Sequence, residues 1–154
     1  MEKIDKGVLV TMAKNTGVFN DKDIAILEEV VTDCFKDPPE YLILYEKIEE
    51  KAAGFIILGR TPLTAFSWDI YWIVVDKEFQ GRGIGSKLIK KAEDLMLRSG
   101  ERAVVRLETS TREAYVSARK LYAKAGYREV GTIRNFYAQD DGITIYSREI
   151  SRRV

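Results

Sequence analysis

The sequence predicts an α/β fold: one domain over residues 1–154, with a mixed, mostly antiparallel sheet flanked by helices. Three observations predict it. Residues 68–75 are apolar on both faces, so that strand is central and covered on each side. A strand, an amphipathic stretch from 84 to 99 and a second strand at 103–108 follow at crossover spacing, which makes the two strands parallel. Shorter β-rich runs at 41–48, 52–58, 127–133 and 143–150 supply the remaining strands.

The elements read in order as follows. Val8 to Met12 is a β-rich run and is expected as a first strand. Asp21 or Asp23 is expected to cap a helix whose apolar face is Ile24, Ile26, Leu27, Val30 and Val31, and Pro38 and Pro39 stop it. Tyr41–Ile48 and Ala52–Leu58 form a hairpin around Glu49, Glu50 and Lys51. In the central strand, strict alternation would put Trp68, Ile70, Trp72 and Val74 on one face and Tyr71, Ile73 and Val75 on the other. The next helix carries Ile84, Leu88, Ile89, Ala92, Leu95 and Met96 on one stripe and ends at Gly100. A further helix bears Tyr115, Ala118, Leu121, Tyr122 and Ala125. Two last strands follow, joined by a loop from Arg134 to Gly142.

Composition excludes several chemistries. The chain has 154 residues and no histidine, so a Ser-His-Asp triad, a Cys-His pair and histidine metal ligands are all ruled out. No metal site is expected. Acid–base work falls to Asp, Glu, Tyr, Lys or water. A net charge of +1 gives no reason to expect nucleic acid, and no apolar run approaches a membrane span. The single cysteine, Cys34, reads as a buried small hydrophobe. One cysteine and a polar start at Met1–Lys6 fit the reducing cytoplasm. Homodimerisation through a sheet edge is an open expectation.

The most informative stretch is Gln80-Gly81-Arg82-Gly83-Ile84-Gly85, between a strand and a helix. The first N–H groups of a helix lack intrahelical partners and carry the positive end of its dipole. Glycines remove the Cβ atoms that would hold an anion away. Such a loop suits a pyrophosphate. It is not a Walker loop, and Leu88 stands where a dinucleotide fingerprint needs its third glycine.

Gln80-Gly81-Arg82-Gly83-Ile84-Gly85 resembles the Gln/Arg-x-x-Gly-x-Gly/Ala signature of the GNAT superfamily of acyl-CoA-dependent N-acetyltransferases. Leu121-Tyr122-Ala123-Lys124-Ala125-Gly126-Tyr127 is similar to that superfamily's Leu-Tyr-x-x-x-Gly-Phe/Tyr segment. The resemblance covers roughly residues 67 to 146, about half of the chain. It implies a sheet splayed at its two parallel strands, with acetyl-CoA in the gap. The pantetheine would pair with backbone near Ile73, Val74 and Val75. The pyrophosphate would rest on the loop Gln80, Gly81, Arg82, Gly83, Ile84, Gly85 and Ser86.

What the resemblance implies for activity is direct acetyl transfer from acetyl-CoA to a primary amine, leaving CoA. The amine belongs to a small molecule, a protein N-terminus or a lysine. The alternative is a non-catalytic CoA-binding or sensing module. Tyr122 is the candidate acid, beside the CoA sulfur and itself a cofactor contact. Glu108 is the candidate base, in a Leu-Glu context like that of the ribosomal-protein alanine acetyltransferases, with Asp69 as a rival and a water relay as a third route. Many relatives carry a cofactor-contacting asparagine seven residues before the tyrosine. Here that position is Tyr115, and Ser117, Thr109, Ser110 and Thr111 are alternative substitutes. Lys87, Lys90 and Lys91 are candidates for the CoA 3′-phosphate. Phe136 and Tyr137 could wall an amine pocket, and Asp140 or Asp141 could attract a cation.

Overall fold

The structure is a computed structural model that describes residues 4–152. A six-stranded sheet has the order β1-β2-β3-β4-β6-β5. Its strands are β1 (Leu42–Ile48), β2 (Lys51–Arg60), β3 (Ser67–Val75), β4 (Arg102–Ser110), β5 (Arg128–Ala138) and β6 (Asp141–Ser151). Only β3 and β4 are parallel; the other neighbours are antiparallel. The helices are α1 (Lys6–Asn15), α2 (Asp21–Cys34), α3 (Ile84–Ser99) and α4 (Val116–Lys124).

Two apolar layers enclose the sheet. One joins α3 and α4 to Ile56, Leu58, Trp68, Ile70, Val105, Leu107 and Tyr146. The other joins α1 and α2 to Phe55, Ile57 and Val74. Each layer follows from alternation along the strands, so Ile56 and Leu58 go one way and Phe55 and Ile57 the other.

Three expectations about elements are corrected. Val8–Met12 is not a strand but the middle of α1. Asp5 caps that helix, its carboxylate accepting from the Gly7 N–H at 2.6 Å. Leu9, Val10, Met12 and Ala13 are buried, a helical spacing that a five-residue window hides. Asn20, rather than Asp21 or Asp23, caps α2. Its side chain accepts from the Asp23 N–H, and Asp23 accepts in return from the Asn20 N–H, a reciprocal capping box. Residues 134–138 are not loop but a continuation of β5, and the turn reduces to Gln139 and Asp140.

The fourth correction concerns the central strand. Ile57 pairs with Trp72 and Leu58 with Ile70, which leaves Tyr71 as an extra residue in β3. This β-bulge exchanges the faces of everything after it. Trp68 and Ile70 therefore share the α3 layer with Ile73 and Val75, whereas Trp72 and Val74 join the α1/α2 layer. Alternation read straight through the strand could not show this.

Candidate active site

The parallel pair holds for four residues only. Ser67 to Ile70 pair with Val104 to Leu107, and the pairing stops there. Beyond it, Trp72 to Val75 stay paired to β2 alone, and Glu108 to Ser110 to β6 alone. The two strands thus open into a V with backbone edges facing a gap. Two local features mark where the split begins. The bulge at Tyr71 follows directly on the last residue of β3 that pairs with β4. Just before it, the Asp69 carboxylate, 6% exposed, bridges the strands by accepting from Arg106 Nε at 2.7 Å. Its other oxygen accepts from the Thr61 hydroxyl at 2.7 Å. Asp69 raises the Arg106 pKa, chiefly through that hydrogen bond. With both oxygens engaged, Asp69 ties the strands below the gap.

The glycine loop lies at the open end of β3. After Val75, a short 3-10 turn at Lys77–Phe79 leads into Gln80, whose amide donates to the Val75 carbonyl at 3.3 Å. Gly81 and Gly83 both have φ +78°, the left-handed region that favours glycine, and a Cβ on either would meet only open space. Gly83 is the N-cap of α3 and offers no side chain to the first-turn N–H groups. The amides of Ile84, Gly85 and Ser86 therefore retain their capacity for an anion. Gly85 serves a different purpose: a Cβ there would stand 2.7 Å from Leu121 Cδ2, so it sets the approach of α3 to α4. Uncapped amides beside open space fit the diphosphate of a nucleotide cofactor.

The two candidate proton-transfer groups lie on opposite faces of the sheet. Tyr122 is 8% exposed and packs edge-on to Tyr146, ring centroids 5.6 Å apart, in the α3/α4 layer. Burial pushes its pKa well above that of an ordinary phenol, with Tyr146 and Tyr115 adding to the effect. Glu108 is exposed and projects from the other face of β4, the face of Arg106 and Ser110. Burial raises the Tyr137 pKa, and the charges of Glu108 and Asp141 raise it further. Glu108 and Tyr137 thus feel one another on the α1/α2 side of the gap.

Other candidates are sorted by their partners. Lys90 pairs with Asp94 at 2.6 Å, and Lys91 with Glu46 at 2.7 Å and the Tyr45 carbonyl at 2.9 Å. Lys87, exposed on the first turns of α3, has no such ion pair among the described residues. Ser110 donates to Asp141, which also pairs with Arg112 Nε at 3.3 Å, so the Asp141 carboxylate is engaged within the fold. Phe136 and Tyr137 are half exposed and stack edge-on at 5.1 Å. Burial and Asp33 raise the Cys34 thiol to about 11, which makes it inert as a nucleophile.

Several contributors escaped the sequence reading. Phe19, in the α1–α2 loop, lies 5.2 Å from Trp72 and 6.4 Å from Tyr115, forming an aromatic wall beside the gap. Gly54 on β2 has no room for a Cβ, which would fall 2.8 Å from the Val74 carbonyl oxygen. Glu93, buried in α3, accepts from Tyr127 Oη at 3.0 Å and Arg148 Nη1 at 2.9 Å. Arg148 also donates to the Ala125 carbonyl at the end of α4. Phe19 and Gly54 lie far from the motifs in sequence, and the partners of Glu93 emerge only in three dimensions.

A splayed mixed sheet with a phosphate-ready helix terminus at its open end defines a class of nucleotide-cofactor transferase. The Acetyltransferase (GNAT) family profile matches residues 12–127, and the chain belongs to that family. It is 40% identical over 85 residues to the N-alpha-acetyltransferase RimI of Mycobacterium tuberculosis, a match covering 55% of this chain and 49% of that relative. The matched stretch thus spans about half the length of that protein. An uncharacterized N-acetyltransferase of Methanocaldococcus jannaschii, MJ1530, is 30% identical over 139 residues, 80% of this chain and 83% of its own. Among solved structures, a GNAT-family protein from Desulfovibrio desulfuricans superposes with a TM-score of 0.84 at 25% identity, covering 96% of this chain and 92% of that one. No helix among the described residues is long and apolar enough to cross a membrane.

Proposed function

We propose that the protein transfers the acetyl group of acetyl-CoA directly to a primary amine, within a ternary complex. One observation carries this reading: the parallel pair opens after Ile70 and Leu107, beside a helix terminus whose amides are uncapped. The gap suits an extended pantetheine arm along Ile73, Val74 and Val75. The terminus from Gln80 to Ser86 suits the pyrophosphate, and exposed Lys87 is the candidate for the 3′-phosphate.

Acetyl-CoA, when bound, supplies the acetyl group as an activated thioester. The residues divide the remaining work. Glu108, on the α1/α2 face, takes a proton from the amine directly or through water. A backbone N–H of the open strand, that of Val75, donates to the thioester oxygen as it gains charge. Tyr122, on the opposite face, would give its proton to the departing sulfur. Phe19, Trp72, Tyr115 and Tyr137 make the acceptor side aromatic. The acceptor is a primary amine of a small molecule, a protein N-terminus or a lysine.

The test is calorimetric titration of acetyl-CoA, with NAD and ATP as controls, followed by turnover on an amine panel. Selective micromolar binding with transfer to some amine is expected. Tyr122→Phe is expected to slow turnover with little effect on CoA binding. Full turnover by that variant at every pH would remove Tyr122 from the acid role. Binding without transfer to any amine would leave a CoA-sensing module instead.

A further inference from the structure

Thr109 carries a buried hydroxyl that the folded chain leaves without a hydrogen-bond partner. Among the described residues it is the one buried side-chain nitrogen or oxygen in that state. The residue is 5% exposed. An unpaired buried hydroxyl costs free energy, and folded proteins avoid it almost everywhere. Valine has nearly the same shape and would fill the position without that cost.

Its place in the sheet gives the hydroxyl a meaning. β4 runs in unbroken register with β6, so Thr109 shares the face of Val105 and Leu107, toward the layer that holds Tyr122. It lies two residues past Leu107, where pairing with β3 has already ended, on the open arm of the V. Its hydroxyl-bearing neighbours are committed elsewhere. Ser110 Oγ donates to Asp141 and accepts from the Arg112 N–H at 3.0 Å. Thr111 Oγ1 accepts from the Gly142 N–H at 2.9 Å. Ser117 is exposed on α4.

We propose that Thr109 is a cofactor-binding residue whose hydroxyl donates to an amide carbonyl of the pantetheine arm. This rests on the acetyl-CoA reading above. A rotation about χ1 exchanges the hydroxyl and methyl of threonine at no change in volume, so the hydroxyl turns toward the gap when the arm enters. The arm is the only part of the cofactor with such amides. Adenosine 3′,5′-bisphosphate presents the adenosine and its phosphates without the arm, and serves as the control ligand.

The experiment titrates CoA and adenosine 3′,5′-bisphosphate into the wild type, Thr109→Val and Thr109→Ser, and records the thermal midpoint of each free protein. For Thr109→Val, the CoA Kd is expected to rise about tenfold, the loss of one buried hydrogen bond. Its bisphosphate affinity should be unchanged and its free midpoint no lower than the wild type's. Thr109→Ser should restore most of the CoA affinity. Unchanged CoA affinity in Thr109→Val overturns the assignment and leaves the acetyl-CoA reading standing. Equal losses for both ligands overturn it too, since the effect would not come from the arm. A wild type that binds no CoA overturns both readings.

Discussion

Gly85→Ala is a sharp test of how α3 and α4 are set against each other. The added Cβ would lie 2.7 Å from Leu121 Cδ2 and 3.3 Å from Leu121 Cδ1. Gly85 has no positive φ, so the penalty is steric alone. Overpacking of this kind costs about 1–3 kcal/mol. Alanine's higher helix propensity returns up to about 1 kcal/mol. With that return in full the net is about 0–2 kcal/mol, or a fall of up to roughly 8 °C in Tm for a chain of this size. The partner atom is the end of a leucine, so Leu121→Ala removes the clash while losing its own packing. A double-mutant cycle by thermal or urea unfolding should therefore show coupling of at least about 1 kcal/mol, with the double variant less destabilised than the sum. CoA affinity should follow the same pattern, because the clash displaces the α3 terminus together with the N–H groups it carries. Additivity within about 0.5 kcal/mol would refute the packing argument.

Two further outcomes follow from the buried network behind the site. Glu93→Gln keeps the volume but removes the charge that holds Arg148, a loss of about 1–2 kcal/mol given that Arg148 is partly exposed; a urea midpoint unchanged by Glu93→Gln would show the pair to be dispensable. Burial, reinforced by Glu93, raises the Tyr127 pKa, and burial raises that of Tyr122. A folded pKa above the unfolded value, about 10 for tyrosine, gives stability that is complete below that pH and lost as pH climbs above it. Unfolding free energy should thus fall steeply above about pH 10, and Tyr127→Phe should flatten that slope; an unaltered slope would count against a buried, protonated Tyr127.

What the sequence revealed depended on how local each signal was. Helix α3 reads from 84 to 99 because its apolar stripe, its glycine start and its glycine end all lie within one window. The glycine turn was legible at Gly81 and Gly83 for the same reason, since the positive-φ backbone and the helix terminus are neighbours in the chain. Helix α1 was misread because Val8 and Val10 suit a strand, and only the Asp5 cap and its packing on α2 decide otherwise. The reach of β5 to Ala138 depends on cross-strand pairing with Asp141, which local composition does not encode. The commitment of Asp69 to Arg106 and Thr61 required the parallel register, so sequence alone left it a rival to Glu108 as base.

The bulge at Tyr71 joins these scales. The extra residue stands where the pairing with β4 ends and the gap opens. The same residue exchanges the two faces of the strand beyond it. Without it, Trp72 would point into the α3 layer, and Ile73 and Val75 would point toward α1 and α2. With it, Ile73 and Val75 pack in the α3 layer, and Trp72 meets Phe19 on the α1/α2 face. The gap thereby gains unlike walls: an aliphatic layer and buried Tyr122 on one side, aromatic rings and Glu108 on the other. The proposed transfer, which would release a protonated thiol toward one side and accept a deprotonated amine from the other, would use that asymmetry. Here one inserted residue supplies it, which is why no motif of contiguous residues announces it.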